Sequence, residues 1–498
     1  MTHAEPQTPH SPFPSFQLSY GSLPPTLFTQ VEPYGASAPE LIRLNTSFAQ
    51  KLGFHLDGLT NKDIAAIFSG NWRADGSKPL AMAYAGHQFG GFNPGLGDGR
   101  AMLLGEVLDS LGTRFDVQLK GSGQTPYSRQ GDGRAALGPV LREYVISEAM
   151  AALGVPTTRA LAAITTGDRV LREQILPGAM VTRVARSHLR VGTFEYAAFR
   201  TDRETLACLV DYALERHGPH TLNDESPALA LLRAVIKRQA DLVAHWISLG
   251  FIHGVMNTDN CTISGETIDY GPCAFMDWYD PHQVYSSIDT EGRYAFSNQP
   301  AVAHWNMAVL AQSLLPLITD DQDTAVETAQ EAVSSFPSVF QDAYMGRMRR
   351  KLGLTTNHDD DSALLRDLLS AMAEESADFT TTFRALGEAL SQTPETLTFL
   401  ARADDGWLNR WRKRLSQEPH SPTDTKALMH GVNPAIIPRN HRVEAMIASA
   451  MEGDFKPFHA MINELAKPYD DAPLTGEGAQ LAKPPTSGEI VHATYCGT

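Results

Sequence analysis

Residues able to do chemistry are densest in His253-Gly254-Val255-Met256-Asn257-Thr258-Asp259-Asn260, followed by Ile268-Asp269-Tyr270-Gly271. The Asn260 amide oxygen and the Asp269 carboxylate are hard ligands of the kind Mg²⁺ accepts while keeping several waters. Upstream, Gln118-Leu119-Lys120-Gly121-Ser122-Gly123 places a lysine at the end of an apolar run. Its ammonium lies in or beside a cleft, and the cost of desolvating it must be offset by an anion or a carboxylate. The helix that follows offers Glu143 and Glu148, and spacing alone does not choose between them. Gly95-Leu96-Gly97-Asp98-Gly99-Arg100 precedes another apolar run. Alternate glycines let backbone N–H groups approach an anion, and Arg100 adds positive charge. Singly, each stretch has a plain structural alternative: a turn, a strand-end lysine, a surface loop. In combination they point to phosphate and metal chemistry.

Protein-kinase catalytic loops read H-R-D-x-x-x-x-N, with a metal-binding Asp before a Gly further on, and a strand lysine paired to a helix glutamate. His253 and Asn260 keep that spacing, and Asp269-Tyr270-Gly271 stands in the D-F-G place. The kinase base, however, would fall on Val255, which cannot accept the proton of an attacking hydroxyl. That argues against ordinary kinase chemistry in its ordinary geometry. Asp259 is the nearest replacement base.

The elements that must position these residues are legible in outline. Residues 101–107 and 115–120 read as strands, and 157–185 as further strands between glycine turns. Pro139 in the first turn and Gly154 after the last bracket a helix between them. Pro227–Leu249 reads as a long amphipathic helix, capped by Ser226 and ended by Gly250, and 301–317 as another. Residues 261–263 and 267–270, separated by Ser-Gly-Glu, read as a hairpin. A short helical stretch is expected over 38–52, mostly helical and acidic sequence over 320–415, and a Pro/Gly-rich linker or tail after 466. The expected fold is α+β and two-lobed, strand-rich first and helical second, with a cleft between. The divisions are an N-terminal extension (1–80), a strand-rich lobe (81–195), a helical lobe (196–415) and a C-terminal extension with a tail (416–498).

Composition limits the function classes. Of 498 residues 42% are hydrophobic and 20% charged, which excludes wholesale disorder and fibrous repeats. Forty-one Lys and Arg against 57 Asp and Glu give a net charge of −16, a poor match to nucleic acid or an anionic membrane. Residues 100–190 reverse the sign: 12 basic against 8 acidic side chains, eleven of the twelve being Arg, whose fork suits phosphate oxygens. The four cysteines (Cys208, Cys261, Cys273, Cys496) form no CxxC pair or zinc spacing, and no leader or uninterrupted membrane-length apolar run is visible. The expectation is a soluble, monomeric protein of a bacterial cytoplasm, with no nucleic-acid or membrane partner.

Three long strings together closely resemble the selenoprotein-O family of protein adenylyltransferases: YAGHQFGGFNPGLGDGR from Tyr84, QLKGSGQTPYSRQGDGRAALGPVLREY from Gln118, and HGVMNTDNCTISGETIDYGPCAFMD from His253. The resemblance implies a protein-kinase-like fold that binds ATP end for end, with the γ-phosphate buried and the α-phosphate facing the acceptor. AMP would pass to a Ser, Thr or Tyr hydroxyl of a protein, and pyrophosphate would leave; some relatives use UTP with Mn²⁺. Carried over by position, Gly97, Gly99, Arg100, Lys120, Asp132 and Gly133 line the nucleotide pocket, and Arg183 and Arg190 grip the inverted phosphates. Asn260 and Asp269 hold Mg²⁺ or Mn²⁺, Asp259 is the general base, and Glu143 is the preferred partner of Lys120. Cys496, third from the end, matches a position where some relatives carry selenocysteine or cysteine, disulfide-bonded in some to a cysteine after the metal-binding Asp. Here 281–296 holds no cysteine and Cys273 is the nearest thiol, which argues against that switch. A phosphotransferase and a non-catalytic nucleotide-binding scaffold are the competing readings. Val255 argues against the first, and Asp259, Asn260 and Asp269 together against the second.

Overall fold

Short apolar runs between turns build an eight-stranded antiparallel sheet in the computed structural model, which describes residues 11–74, 76–218, 225–401, 406–470 and 476–495. In chain order the elements are β1 (Phe28–Gln30), β2 (Glu40–Leu44), α1 (Thr46–Lys51), α2 (Asn61–Phe68), β3 (Leu80–Met82), β4 (Gly86–Gln88), β5 (Gly91–Asn93), β6 (Ala101–Leu108), β7 (Arg114–Lys120), β8 (Ala135–Ala136), α3 (Leu137–Ala152), β9 (Arg159–Leu171) and β10 (Ile175–Ala185). The sheet runs β1-β3-β6-β7-β10-β9-β2, with β8 on β10, and β4–β5 stands apart as a hairpin.

The two-residue period of a strand sorts side chains to opposite faces. Val117 and Leu119 of β7 and Met180 and Val184 of β10 enter a core with Phe48, Phe54, Ile64 and Phe68 from the α1–α2 region. The alternate residues, Gln118 and Lys120 on β7 and Val181 and Arg183 on β10, face the other way. The register sets Lys120 opposite Val181 and Gln118 opposite Arg183. A slip of one residue would bury the two cations among phenylalanines.

After the sheet come α4 (Val191–Arg200), α5 (Arg203–His217), α6 (Pro227–Leu249), β11 (Phe251–Ile252), β12 (Ala274–Phe275), α7 (Gln299–Ile318), α8 (Gln322–Ser334), α9 (Phe336–Lys351) and further helices between Asp361 and Ala482. The α6 boundaries match the expectation: Leu229 N–H donates to Ser226 Oγ, and Gly250 takes φ +73, the left-handed C-cap open to glycine. Such an N-cap contributes about 1 kcal/mol. One continuous apolar core joins the inner face of the sheet, α3 and these helices. By length and hydropathy α7, with the turn before it, could cross a membrane; here 56% of that window is buried, and α7 packs on α6 and α8.

Three expectations are corrected. Within 38–52 the first part is strand β2, paired with β9, and only Thr46–Lys51 is helix; a short apolar run reads the same in both states, and the open edge of β9 decides. Residues 261–263 and 267–270 are linked by a turn at Ile263–Ser264 but do not pair with each other. Thr262 bridges to Arg190 and Thr267 to Thr157, so each arm is tied to sequence from the sheet region. The described part of the tail is no free linker: Thr494 pairs beside Ser286, and its Oγ1 donates to the Pro272 carbonyl at 2.5 Å. Cys496 lies outside the described residues.

Candidate active site

Between the inner face of the sheet and the 253–272 loops lies a cavity of about 570 Å³. Gly97, Gly99, Arg100, Lys120, Asp132, Gly133, Glu143, Arg183, Arg190, Asp259, Asn260 and Asp269 all line it. Residues more than 170 positions apart in sequence thus converge on one hollow.

The floor is a charge cluster. Lys120 Nζ donates to Glu143 Oε2 at 2.6 Å and to Asp269 Oδ1 at 2.8 Å. Arg183 Nη1 donates to Asp269 Oδ1 at 2.7 Å, and Arg190 Nη1 to Asp269 Oδ2 at 2.7 Å. Glu143, one turn beyond Pro139 in α3, is therefore the partner of Lys120. Glu148 is spent elsewhere, on Arg159, Asn45 and the Ala160 N–H. Burial would raise the Asp269 carboxyl, but Lys120, Arg183 and Arg190 outweigh it and hold the group well below the ordinary range. Asp269 takes φ +62, a left-handed turn that Asp tolerates better than most residues.

Behind the cluster stand residues that motif spacing does not single out. Gln118 Oε1 accepts from both Nε and Nη2 of Arg183, at 3.1 and 2.6 Å. Asp98 accepts from the Met82 N–H and from Gln118, and lies 3.7 Å from Arg190. The Arg190 guanidinium sits 4.7 Å over the Tyr84 ring. Nothing in the spacing of Asp98 and Tyr84 in the sequence marks them. The glycine loop has a reason other than the one expected. Gly99 N–H donates to the Gly97 carbonyl at 2.7 Å rather than opening to an anion. A Cβ on Gly97 would meet the Tyr127 ring at 2.4 Å, and one on Gly99 the Tyr127 carbonyl at 2.7 Å, so these glycines permit close packing of two loops. Asp132 is clamped by Arg172 from the β9–β10 turn, at 2.9 and 3.1 Å.

The 253–260 loop is braced from within. His253 Nε2 bonds the Ile268 carbonyl at 2.9 Å, and Asn260 Nδ2 donates to the Val255 carbonyl at 3.1 Å, leaving its amide oxygen as an acceptor. Val255 lines the cavity where a kinase base would stand. Asp259 has one oxygen held by Gln88 Nε2 at 3.2 Å, while Oδ1 is buried without a partner. Burial pushes this carboxyl up to about 6, against the pull of Arg190 and the Gln88 bond. A carboxylate with a bare lone pair and such an affinity is suited to receive a proton near neutral pH.

No group of three or more His, Cys, Asp and Glu able to hold a metal occurs among the described residues. Asn260 and Asp269 supply two hard oxygens. That set fits Mg²⁺ or Mn²⁺ completed by phosphate oxygens and water, as carboxylate-poor nucleotide sites do.

Residues 14–466 match the family model described as protein adenylyltransferase SelO. The chain is similar to Protein nucleotidyltransferase YdiU of Methylorubrum populi, 54% identical over 495 residues that cover 97% of this chain and 99% of that protein. It is 56% identical to the protein of the same name from Rhizobium meliloti, over 97% of this chain and 99% of that one. With the Rhizobium rhizogenes protein, also so named, identity is 54% over the whole of this chain and 99% of that one.

Proposed function

The chain belongs to the SelO family and is a nucleotidyltransferase, and from that premise we propose that it transfers AMP from ATP to Ser, Thr or Tyr hydroxyls of proteins. The reading includes a kinase-like, two-lobed arrangement, divided as the sequence suggests, and a cytoplasmic site of action. ATP lies reversed: its terminal phosphates go to the floor and its α-phosphate faces Asp259.

One observation carries this polarity. Beyond the kinase-like Lys120, two more cations, Arg183 and Arg190, each only 2% exposed, converge on Asp269, and this concentration of buried positive charge favours seating the terminal phosphates there. Val255 is consistent with this, because a γ-phosphate presented at the mouth would find no base in the usual place.

The chemistry follows from the side chains. The Asp259 carboxylate takes the proton of the acceptor hydroxyl, whose oxygen attacks the α-phosphorus. The bond from that phosphorus to the bridging oxygen breaks, and pyrophosphate leaves with the electron pair. Lys120, Arg183 and Arg190 bear the charge that develops on the leaving group. Asn260 and Asp269 would hold a divalent cation, which would supply further neutralisation of phosphate charge. Asp269 occupies the three cations until a triphosphate takes its place, which would free the carboxylate.

The test uses ATP labelled at the α- or the γ-phosphate, with the pure protein and a mixed proteome. Label retained on protein from the α position alone is expected. Label from γ alone would make the protein a kinase, and label from neither would leave a nucleotide-binding scaffold. The same assay with α-labelled UTP and Mn²⁺ examines the second donor.

A further inference from the structure

Exposed apolar side chains are ordinary when scattered, and informative when they gather. Two stand at the cavity, and two more meet where the β4–β5 hairpin lies beside α4. Phe89 and Ile288 line the cavity yet are 38% and 55% exposed. Phe92 on β5, 40% exposed, meets Phe199 at the end of α4, 59% exposed, edge to face at 5.4 Å.

The β4–β5 hairpin that carries two of these rings is fastened to the loop holding Asp259. His87 N–H donates to Thr258 Oγ1 at 2.7 Å, Gln88 holds Asp259, and Phe89 N–H donates to Asn257 Oδ1 at 3.1 Å. The rings and the carboxylate therefore share one frame. At about 3.3 Å per residue, a few residues of extended chain bridge from one to the other.

Two guanidiniums border the rings. That of Arg200 lies 5.3 Å from the Phe199 ring centroid, and that of Arg293 lies 4.9 Å from the Trp305 ring. Neither forms an ion pair with another described residue, although the chain as a whole carries −16. Arg293 Nε is buried without an acceptor. Glu291, two residues before Arg293, is exposed and forms no ion pair with it, and Asp289 is occupied by the backbone N–H groups of Arg293 and Tyr294, at 2.9 and 2.8 Å. An apolar shelf edged by two cations that have no carboxylate partner among the described residues is complementary to a segment with an apolar and an acidic side chain.

We propose that this rim seats the acceptor protein. It would hold an extended segment whose apolar or aromatic side chain lies on Phe92 and Phe199 and whose Asp or Glu pairs with Arg200 or Arg293, within about five residues of the hydroxyl reaching Asp259. The inference rests on the transfer reaction proposed above and names the acceptors that reaction selects.

Direct binding tests it. Fluorescein-labelled nine-residue peptides with a central serine, flanked by Leu and Glu, are compared by anisotropy with copies carrying Lys for Glu or Gly for Leu. The Leu/Glu peptide is expected to bind at least tenfold more tightly than either. In Phe199→Ser/Arg200→Glu that preference collapses, while ATP affinity and Tm stay near wild type; Arg200→Gln alone serves if the double variant folds poorly. Equal binding of the three peptides by the wild type overturns the proposal, as does a preference that survives in the variants. A wild-type dimer that the double variant dissolves, with no peptide preference, would assign the rim to a second copy and also overturn it. Binding is read without chemistry, so the outcomes separate. Peptide preference without α-label transfer removes the reaction, and transfer without preference removes the rim.

Discussion

At the scale of residues, the question is why Asp259 serves as a base when it is neither the kinase aspartate nor paired with a cation. Its carboxyl is raised to about 6 by burial, and Gln88 is the side chain that donates to it among the described residues. Only the ionised form accepts a proton, so kcat should fall as pH drops through about 6. Gln88→Ala removes a bond to the charged form, so this acidic limb should move to higher pH. An unmoved limb would detach Gln88 from the base. Asp259→Asn should lower kcat by about 10²–10⁴ with nucleotide affinity retained. Asp269 gives a second residue-level test, because it competes with phosphates for three cations. In Asp269→Asn the cations are released, so titration with ATP in EDTA should give binding about tenfold tighter than wild type, while metal-dependent transfer is abolished. Unchanged or weaker metal-free affinity would remove the exchange of carboxylate for triphosphate.

At the scale of elements, the catalytic loop borrows its geometry from the β4–β5 hairpin. Gly86 begins that hairpin with an ordinary backbone, and a Cβ there would lie 2.6 Å from Asp259 Oδ1 and 3.0 Å from its Cβ and Cγ. Gly86→Ala should therefore displace the carboxylate and lower kcat by tenfold or more, with a change in Tm of only about 2 °C. A variant with full kcat would mean that Asp259 has room the proposed mechanism denies it. This dependence was illegible in the sequence, where Gly86 is one glycine among many in a glycine-rich stretch. What was legible had local causes. Lys120 ends an apolar strand, Pro139 and Gly154 bracket α3, and Ser226 and Gly250 bracket α6; each signal acts within a few residues. The choice of Glu143 over Glu148 needed α3 to be laid on the sheet. The arms at 261–263 and 267–270 were misread because their partners, Arg190 and Thr157, are far away in sequence.

At the scale of the whole molecule, the chain returns at its end to the loop on which the chemistry depends. Ala482 accepts from Arg439 Nε at 2.9 Å, Glu489 pairs with Arg442 at 3.1 Å, and Thr494 bonds the Pro272 and Tyr285 carbonyls. Pro272 follows Asp269-Tyr270-Gly271, so the tail braces the segment that presents Asp269. A Pro/Gly-rich composition suggested a linker because it predicts little regular structure, and composition does not say whether an irregular segment is docked. Ending the chain after residue 475 removes these bonds, and Tm should fall by several degrees. The loop should also loosen and kcat decline. Thr494→Val separates the two effects, since it keeps the tail's volume and backbone bonds and removes only the hydroxyl contacts. It should lower kcat with little change in Tm. If both variants match wild type in kcat, the tail is a passenger, and the position of Asp269 must be fixed by Lys120, Arg183 and Arg190 alone.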